Sequence, residues 1–293
     1  MIGVVPKGRA HLFWQSVHGG AVKAAREAKV EILWNGPAEE TDYAGQIQIV
    51  ESMINRHVAA IALAPIDKRI MASVVDRAAA QKIPVVIFDS GVDTPNFVTQ
   101  VATDNYAAGQ MAAARLGKIL YGEGKIAMVK VEPGAASTEA REKGFTDLLS
   151  AQFPKIEIVD QRYGMADFAK SLTVSENMLT AHPELTGMFA SNESSTVGAA
   201  QALRGRRGKV KLVGFDWSPA LAGDLKSGVI DSLVVQDPFQ MGYVAVRSAV
   251  AAIHGGHVAK MQPLPPRLVD STNWNDPDVQ ALLNPDLKKY LEP

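Results

Sequence analysis

The 293 residues carry 30 basic and 31 acidic side chains, a net charge of −1, with 47% hydrophobic residues and no cysteine. That balance excludes a disordered chain, a bulk electrostatic grip on nucleic acid, and every thiolate-based site, from disulfides to cysteine nucleophiles. At ~150 residues per domain the length predicts two domains, and no apolar run approaches the ~20 residues of a membrane span.

The chain begins directly on an apolar run, Ile2-Gly3-Val4-Val5, an abruptness that predicts a trimmed export leader. Strands are predicted at 2–5, 30–34, 59–64, 84–88 and 98–102, then at 125–131, 156–161, 187–190, 209–215 and 230–235. Most are unbroken apolar runs, the pattern of parallel strands buried on both faces. Helical periodicity fills the intervals at 13–28, 43–55, 70–81, 106–121, 138–151, 168–181, 194–204, 219–226 and 240–253. Breakers such as Gly36-Pro37, Pro65, Pro84, Pro154 and Pro183 separate the elements. This alternation predicts an α/β fold of two doubly wound, Rossmann-like lobes. Past residue 253 the pattern changes. Pro263, Pro265 and Pro266 interrupt it, 267–274 reads as extended, and Asn275-Asp276-Pro277 and Asn284-Pro285-Asp286 each open a short helical piece.

In open α/β sheets ligands bind beyond the carboxyl ends of the strands. The residues there are Lys7 to Trp14 after the first strand, Asp89-Ser90 after the fourth, and Asp104-Asn105 after the fifth. The second series contributes Arg141, Asp167-Phe168, Asn192-Glu193, Asp216 and Gln236-Asp237. Planar Asp, Asn, Gln and Arg groups serve adjacent hydroxyls in pairs, and aromatic rings pack against C–H faces. The mixture points to a carbohydrate. Local alternatives exist for several of these residues. Phe13 and Trp14 can start a core helix. Asp89, Asn192 and Asp216 can be N-caps. Arg141 can pair with Glu139 or Glu142, and Gln236 can be hinge structure alone.

Other chemistries lack their signatures. No G-x-G-x-x-G follows a strand, Gly122-Glu123-Gly124-Lys125 lacks the Walker spacing, and no G-x-S-x-G elbow occurs. His254-Gly255-Gly256-His257 has no third ligand in sequence and reads as a solvated loop. No metal or cofactor is expected. Asp89 and Asp216 as paired carboxylates on a glycoside form the enzyme alternative.

Phe13-Trp14 followed by Gly20-Ala21, Phe88-Asp89, Thr103-Asp104-Asn105, Arg141-Glu142-Lys143-Gly144-Phe145, Ala190-Ser191-Asn192-Glu193, Val213-Gly214-Phe215-Asp216 and Val235-Gln236-Asp237-Pro238 occur in an order and spacing that carry a resemblance. The chain resembles the type I periplasmic sugar-binding proteins of ABC transporters, the ribose-binding and LacI-effector-domain family. The resemblance implies two lobes joined by a three-segment hinge, residues 1–104 plus 237–265 and residues 105–236 plus 266–293. It implies a monomer outside the cytoplasmic membrane that captures a monosaccharide or polyol and delivers it to a permease, with no nucleic-acid partner and no catalysis. Phe13, Trp14 and Phe168 match the aromatic sandwich, and Asp89, Arg141, Asn192, Asp216 and Gln236 the polar clamp. Asn105 and Gln236 lie at the hinge crossings, the third of which falls near 266–268.

Three positions depart from the family's ribose binders: Lys7, His11 and Ser90 stand where those proteins carry Ser, Asn and Arg. The departures argue against ribose itself and place Lys7, His11 and Ser90 among the ligand-facing residues. Lys7 and Asp89 match autoinducer-2 binders, but Arg141 follows the ribose-like pattern. The remaining alternative, the effector domain of a LacI-type regulator, calls for a DNA-binding headpiece ahead of the first strand.

Overall fold

A computed structural model describes residues 1–206 and 208–292. The chain opens with β1 (Ile2–Val5), α1 (Leu12–Ala28), β2 (Ile32–Trp34), α2 (Tyr43–Asn55), β3 (Ala60–Leu63), α3 (Ala72–Ala80), β4 (Val85–Phe88) and β5 (Thr99–Thr103). It continues through α4 (Asn105–Ile119), β6 (Glu123–Lys130), α5 (Ala136–Gln152), β7 (Lys155–Tyr163), α6 (Phe168–Ala181), β8 (Gly187–Ala190), α7 (Glu193–Leu203), β9 (Lys211–Phe215), α8 (Pro219–Ser227) and β10 (Ser232–Val235). It ends with α9 (Pro238–Ile253), β11 (Met261–Leu264), β12 (Arg267–Asp270), α10 (Pro277–Leu283) and α11 (Lys288–Leu291).

These strands form two six-stranded sheets, ordered β2-β1-β3-β4-β5-β11 and β7-β6-β8-β9-β10-β12. The central strands β1, β3, β4, β8 and β10 are buried along their whole length, as unbroken apolar runs in parallel sheets must be. Each sheet has an apolar core on both faces. The chain passes between the sheets three times. It leaves β5 for α4, which packs on β9 and β10, and it returns from β10 to α9, which packs on β3, β4 and β5. It crosses again between β11 and β12. Asp104 and Asp237, at the first two crossings, cap the helices that follow by accepting from Ala107 N at 3.0 Å and Gln240 N at 2.8 Å.

In each lobe the first helix packs against a crossing helix through a reciprocal glycine contact. A Cβ on Gly20 of α1 would lie 1.8 Å from Phe239 O of α9, and one on Gly242 of α9 would lie 2.0 Å from Val17 O. In the second lobe, a Cβ on Gly109 of α4 would lie 2.0 Å from Arg141 O of α5, and one on Gly144 of α5 would lie 2.1 Å from Tyr106 O. Only glycine permits backbones to approach this closely.

The tail departs from the sequence reading. Met261 to Leu264, expected only as proline-interrupted chain, form a parallel strand with β5. The strand lies at the sheet edge, where Pro263 costs no ladder donor. Of 267–274 only Arg267–Asp270 is a strand, antiparallel to β10. The expectation that 266–293 belongs wholly with the second lobe also needs revision. Val279 and Leu283 of α10 enter the second lobe's core. Arg26 of α1, however, donates to Lys289 O at 2.8 Å and Tyr290 O at 3.2 Å, which seats α11 on the first lobe.

Candidate functional site

The carboxyl ends of β1 and β4 in one sheet and of β8, β9 and β10 in the other converge on a cavity between the lobes. Lys7, His11, Phe13, Trp14, Glu40 and Asp89 line it from the first lobe, and Ser137, Thr138, Arg141, Asn192, Glu193, Asp216 and Gln236 from the second lobe and hinge.

Two aspartates hold equivalent places. Asp89 follows β4 and Asp216 follows β9, the fourth strand of each series, and both have left-handed backbones, with φ of 60° and 67°. Asp is among the few non-glycine residues that tolerate this conformation. Neither caps the helix that follows it, which sets aside that local alternative. Asp89 Oδ2 lies 2.8 Å from Lys7 Nζ, an ion pair buried on both sides. Asp216 instead accepts neutral donors, Glu193 N at 2.9 Å on Oδ2 and Gln236 Nε2 at 2.7 Å on Oδ1. Burial pushes the Asp216 carboxyl up, against the nearby Arg141 charge that pulls it down.

Arg141 is 2% exposed. Its Nε donates to Asn105 Oδ1 at 2.8 Å and its Nη1 to Ser191 O at 2.9 Å, and its guanidinium lies 4.5 Å from the centroid of the Phe215 ring. These bonds replace the surface pairing with Glu139 or Glu142. Gln236 links the lobes: besides donating to Asp216, its Oε1 accepts from Thr103 Oγ1 at 2.7 Å. Asn192 is both cap and cavity residue, its Oδ1 accepting from Ser195 N at 2.9 Å.

At the other end His11 bridges the lobes. Its Nδ1 lies 2.8 Å from Glu40 Oε1 and its Nε2 lies 3.1 Å from Ala166 O. Both partners are acceptors only, so both ring nitrogens must carry protons and His11 is an imidazolium. Burial works against that charge, but Glu40 and Glu193 outweigh it and raise His11 to about 9. His11 and Lys7 in turn hold Glu40 down at about 2, again against burial. Trp14 Nε1 donates to the same Glu40 oxygen at 2.7 Å.

The aromatic sandwich takes a different form from that expected. Phe13 and Trp14 line the cavity at 88° to one another with centroids 4.9 Å apart, and Trp14 also closes the first lobe's core. Phe168 stands outside the ring of lining residues: it is 36% exposed and packs edge-on against His11 at 5.1 Å. Two further predicted residues stand behind the lining. Ser90 Oγ accepts from Ser137 N at 3.0 Å, and Asn105 holds Arg141. Lys7, His11, Phe13, Trp14, Asp89, Arg141, Asn192, Asp216 and Gln236 are brought together.

Glu40, Ser137 and Thr138 also line the cavity without having been selected from the sequence, as does Glu193, which the sequence placed at a strand end beside Asn192 but did not select. Glu40 sits in the loop after β2 and Ser137 in the first turn of α5, both strand-end segments where a polar residue was a legible signal. Lys7 Nζ donates to Ser137 Oγ at 3.0 Å across the cleft. Further out, Tyr43 OH donates to Glu132 Oε2 at 3.1 Å and Lys68 N to Gly134 O at 3.0 Å. The lobes are therefore closed upon one another.

A family profile for the periplasmic binding protein domain matches residues 2–257. The chain is 29% identical to the ribose import binding protein of Bacillus subtilis over 87% of this chain and 82% of that one. It superposes with a TM-score of 0.94 and 34% identity on a carbohydrate transporter solute-binding protein from Agrobacterium radiobacter in complex with D-arabinose, covering 97% of this chain and 98% of that one. An ABC transporter solute-binding protein from Agrobacterium vitis with bound D-fucose also gives 0.94 and 34%, covering 97% and 99%.

Proposed function

The chain belongs to the periplasmic binding protein family, and from that premise we propose that it captures one monosaccharide or polyol between its lobes and presents the closed complex to the membrane permease of an ABC importer. The observation that carries this reading is the composition of the cavity. Both lobes contribute charged or amide groups held in fixed orientation, beside the faces of Phe13 and Trp14. Such a surface offers paired acceptors and donors to a polyhydroxylated ring and an apolar face to its C–H groups.

The mechanism is a population shift. A ligand touching both lobes stabilises the closed form by its differential affinity for that form. The moving bodies are residues 1–104 with 237–265, and residues 105–286 less that second segment. Residues 287–292 travel with the first body, to which α11 is bonded. The protein acts as a monomer outside the cytoplasmic membrane, by binding and release without turnover.

Thermal unfolding against pentoses, hexoses, 6-deoxy sugars and polyols tests the proposal. A ligand at 100 times its Kd adds about 2.7 kcal/mol to stability, and one or a few related sugars should raise Tm. A flat response across the panel, or consumption of a bound sugar, overturns it.

A further inference from the structure

Glu193 is the first residue of α7, directly after the Asn192 cap, and its backbone N is fixed to Asp216 Oδ2 at 2.9 Å. Its side chain faces the cavity, yet the residue is only 4% exposed. The carboxyl is poorly satisfied. Oε2 receives a long contact from Phe13 N at 3.4 Å, and Oε1 accepts no hydrogen bond from the described residues. The cavity's cations are otherwise engaged. Lys7 is bonded to Asp89 and Ser137, His11 to Glu40 and Ala166, and Arg141 to Asn105 and Ser191. Burial, with Asp216 nearby, raises the Glu193 carboxyl to about 7, against the His11 charge that pulls it down.

A carboxyl that is 4% exposed and holds a single long donor is costly to the folded chain. A ligand hydroxyl is the group that satisfies it. We infer that Glu193 is a specificity-determining residue that accepts a hydrogen bond from one hydroxyl of the bound sugar, at the end of the cavity walled by His11 and Phe13. This rests on the sugar-binding reading above and adds the residue that selects for a hydroxyl at that place.

Isothermal titration of the whole protein with D-arabinose, D-fucose, D-galactose and D-ribose identifies the tightest neutral sugar as the probe. Glu193→Gln and Glu193→Ala are then titrated with it, and the Tm of each ligand-free variant is measured. Loss of the hydrogen bond in Glu193→Ala should weaken binding about 10-fold or more, and Glu193→Gln, whose amide oxygen still accepts, by less. The ligand-free Tm should stay level or rise, because an unsatisfied buried carboxyl has been removed. A residue serving only the fold would lower both quantities, so a joint loss overturns the inference. Unchanged affinity in both variants also overturns it while leaving sugar binding intact. If the wild-type protein binds none of the four sugars, the tightest ligand of the thermal-unfolding panel takes their place as the probe, and a flat response across that whole panel removes sugar binding and the inference together.

Discussion

The two lobes have one architecture and two chemistries. Their strand orders are the same through five strands, and their first helices are locked to crossing helices by the same pair of glycine contacts. Even the left-handed aspartate after the fourth strand recurs. The differences lie in what the shared positions hold. Asp89 is half of an ion pair, whereas Asp216 is held by an amide and a backbone N–H. Trp14 is buried in both core and cavity, whereas Phe168 lies half-exposed outside. The sixth strand is parallel in one sheet and antiparallel in the other. The repeated frame brings two strand-end surfaces face to face, and their unequal chemistry makes the cavity asymmetric, as an asymmetric sugar requires.

The aromatic contrast carries the largest expected effect. Trp14→Ala should cost about 3–5 kcal/mol of stability, the scale for truncating a buried tryptophan, and weaken sugar binding as well. Phe168→Ala should stay within about 0.5 kcal/mol. Urea unfolding checks both, and equal losses would break the contrast.

The aspartates come next. Asp89→Asn leaves Lys7 buried without its counter-charge and should destabilise by about 3 kcal/mol. Asp216→Asn removes a carboxyl that burial already disfavours but turns its NH2 toward one buried donor, Glu193 N or Gln236 Nε2, and should cost about 1–2 kcal/mol. If Asp216→Asn proves the more damaging, the assignment of the ion pair as the stronger anchor is wrong.

The glycine locks are equivalent in packing but not in consequence. Gly20→Ala and Gly109→Ala should each destabilise by about 2 kcal/mol through overpacking. Only Gly109→Ala presses on the backbone of Arg141, so only it should also weaken sugar binding in titration calorimetry.

The finest contrast is in pH. His11 is raised from 6.5 to about 9, so its contribution is fully present below 6.5 and is lost as pH rises through 9. Glu193 is raised from 4.5 to about 7, so the folded chain retains its proton longer than the unfolded one, and stability falls as pH rises from 4.5 through 7. Tm should therefore decline in two steps from mildly acidic to alkaline pH. His11→Gln should flatten the upper step, and Glu193→Gln should reduce the lower, which Glu132, also raised by burial from 4.5 to about 7, shares. A Tm that rises across this range would contradict both assignments.

The fold was legible because its signals are local. Unbroken apolar runs mark the central strands, and strand-end aspartates mark helix starts, as Asp104, Asp167 and Asp237 do in the structure. The core of the site was legible for the same reason: residues just past parallel strands must meet at the sheet edge, which places Lys7, Asp89, Asn192, Asp216 and Gln236 together. What local pattern could not supply was the partner of each group. Phe168 follows a strand as Trp14 does, but its exposure depends on how His11 closes over Ala166. The pairing of Pro263 beside Ala102 depends on an edge that exists only once β5 is in place.

Sequence by itself determined two α/β lobes, their strand ends and the polar and aromatic character of the surface between them, because those follow from periodicity along the chain. Tertiary structure alone decided which carboxyl is paired, which is left unsatisfied, and that α11 crosses back to the first lobe. Those outcomes depend on contacts between residues 82 to 264 positions apart, from Lys7 with Asp89 and Ser137 and Phe13 with Glu193 to Arg26 with Tyr290, which no local spacing encodes.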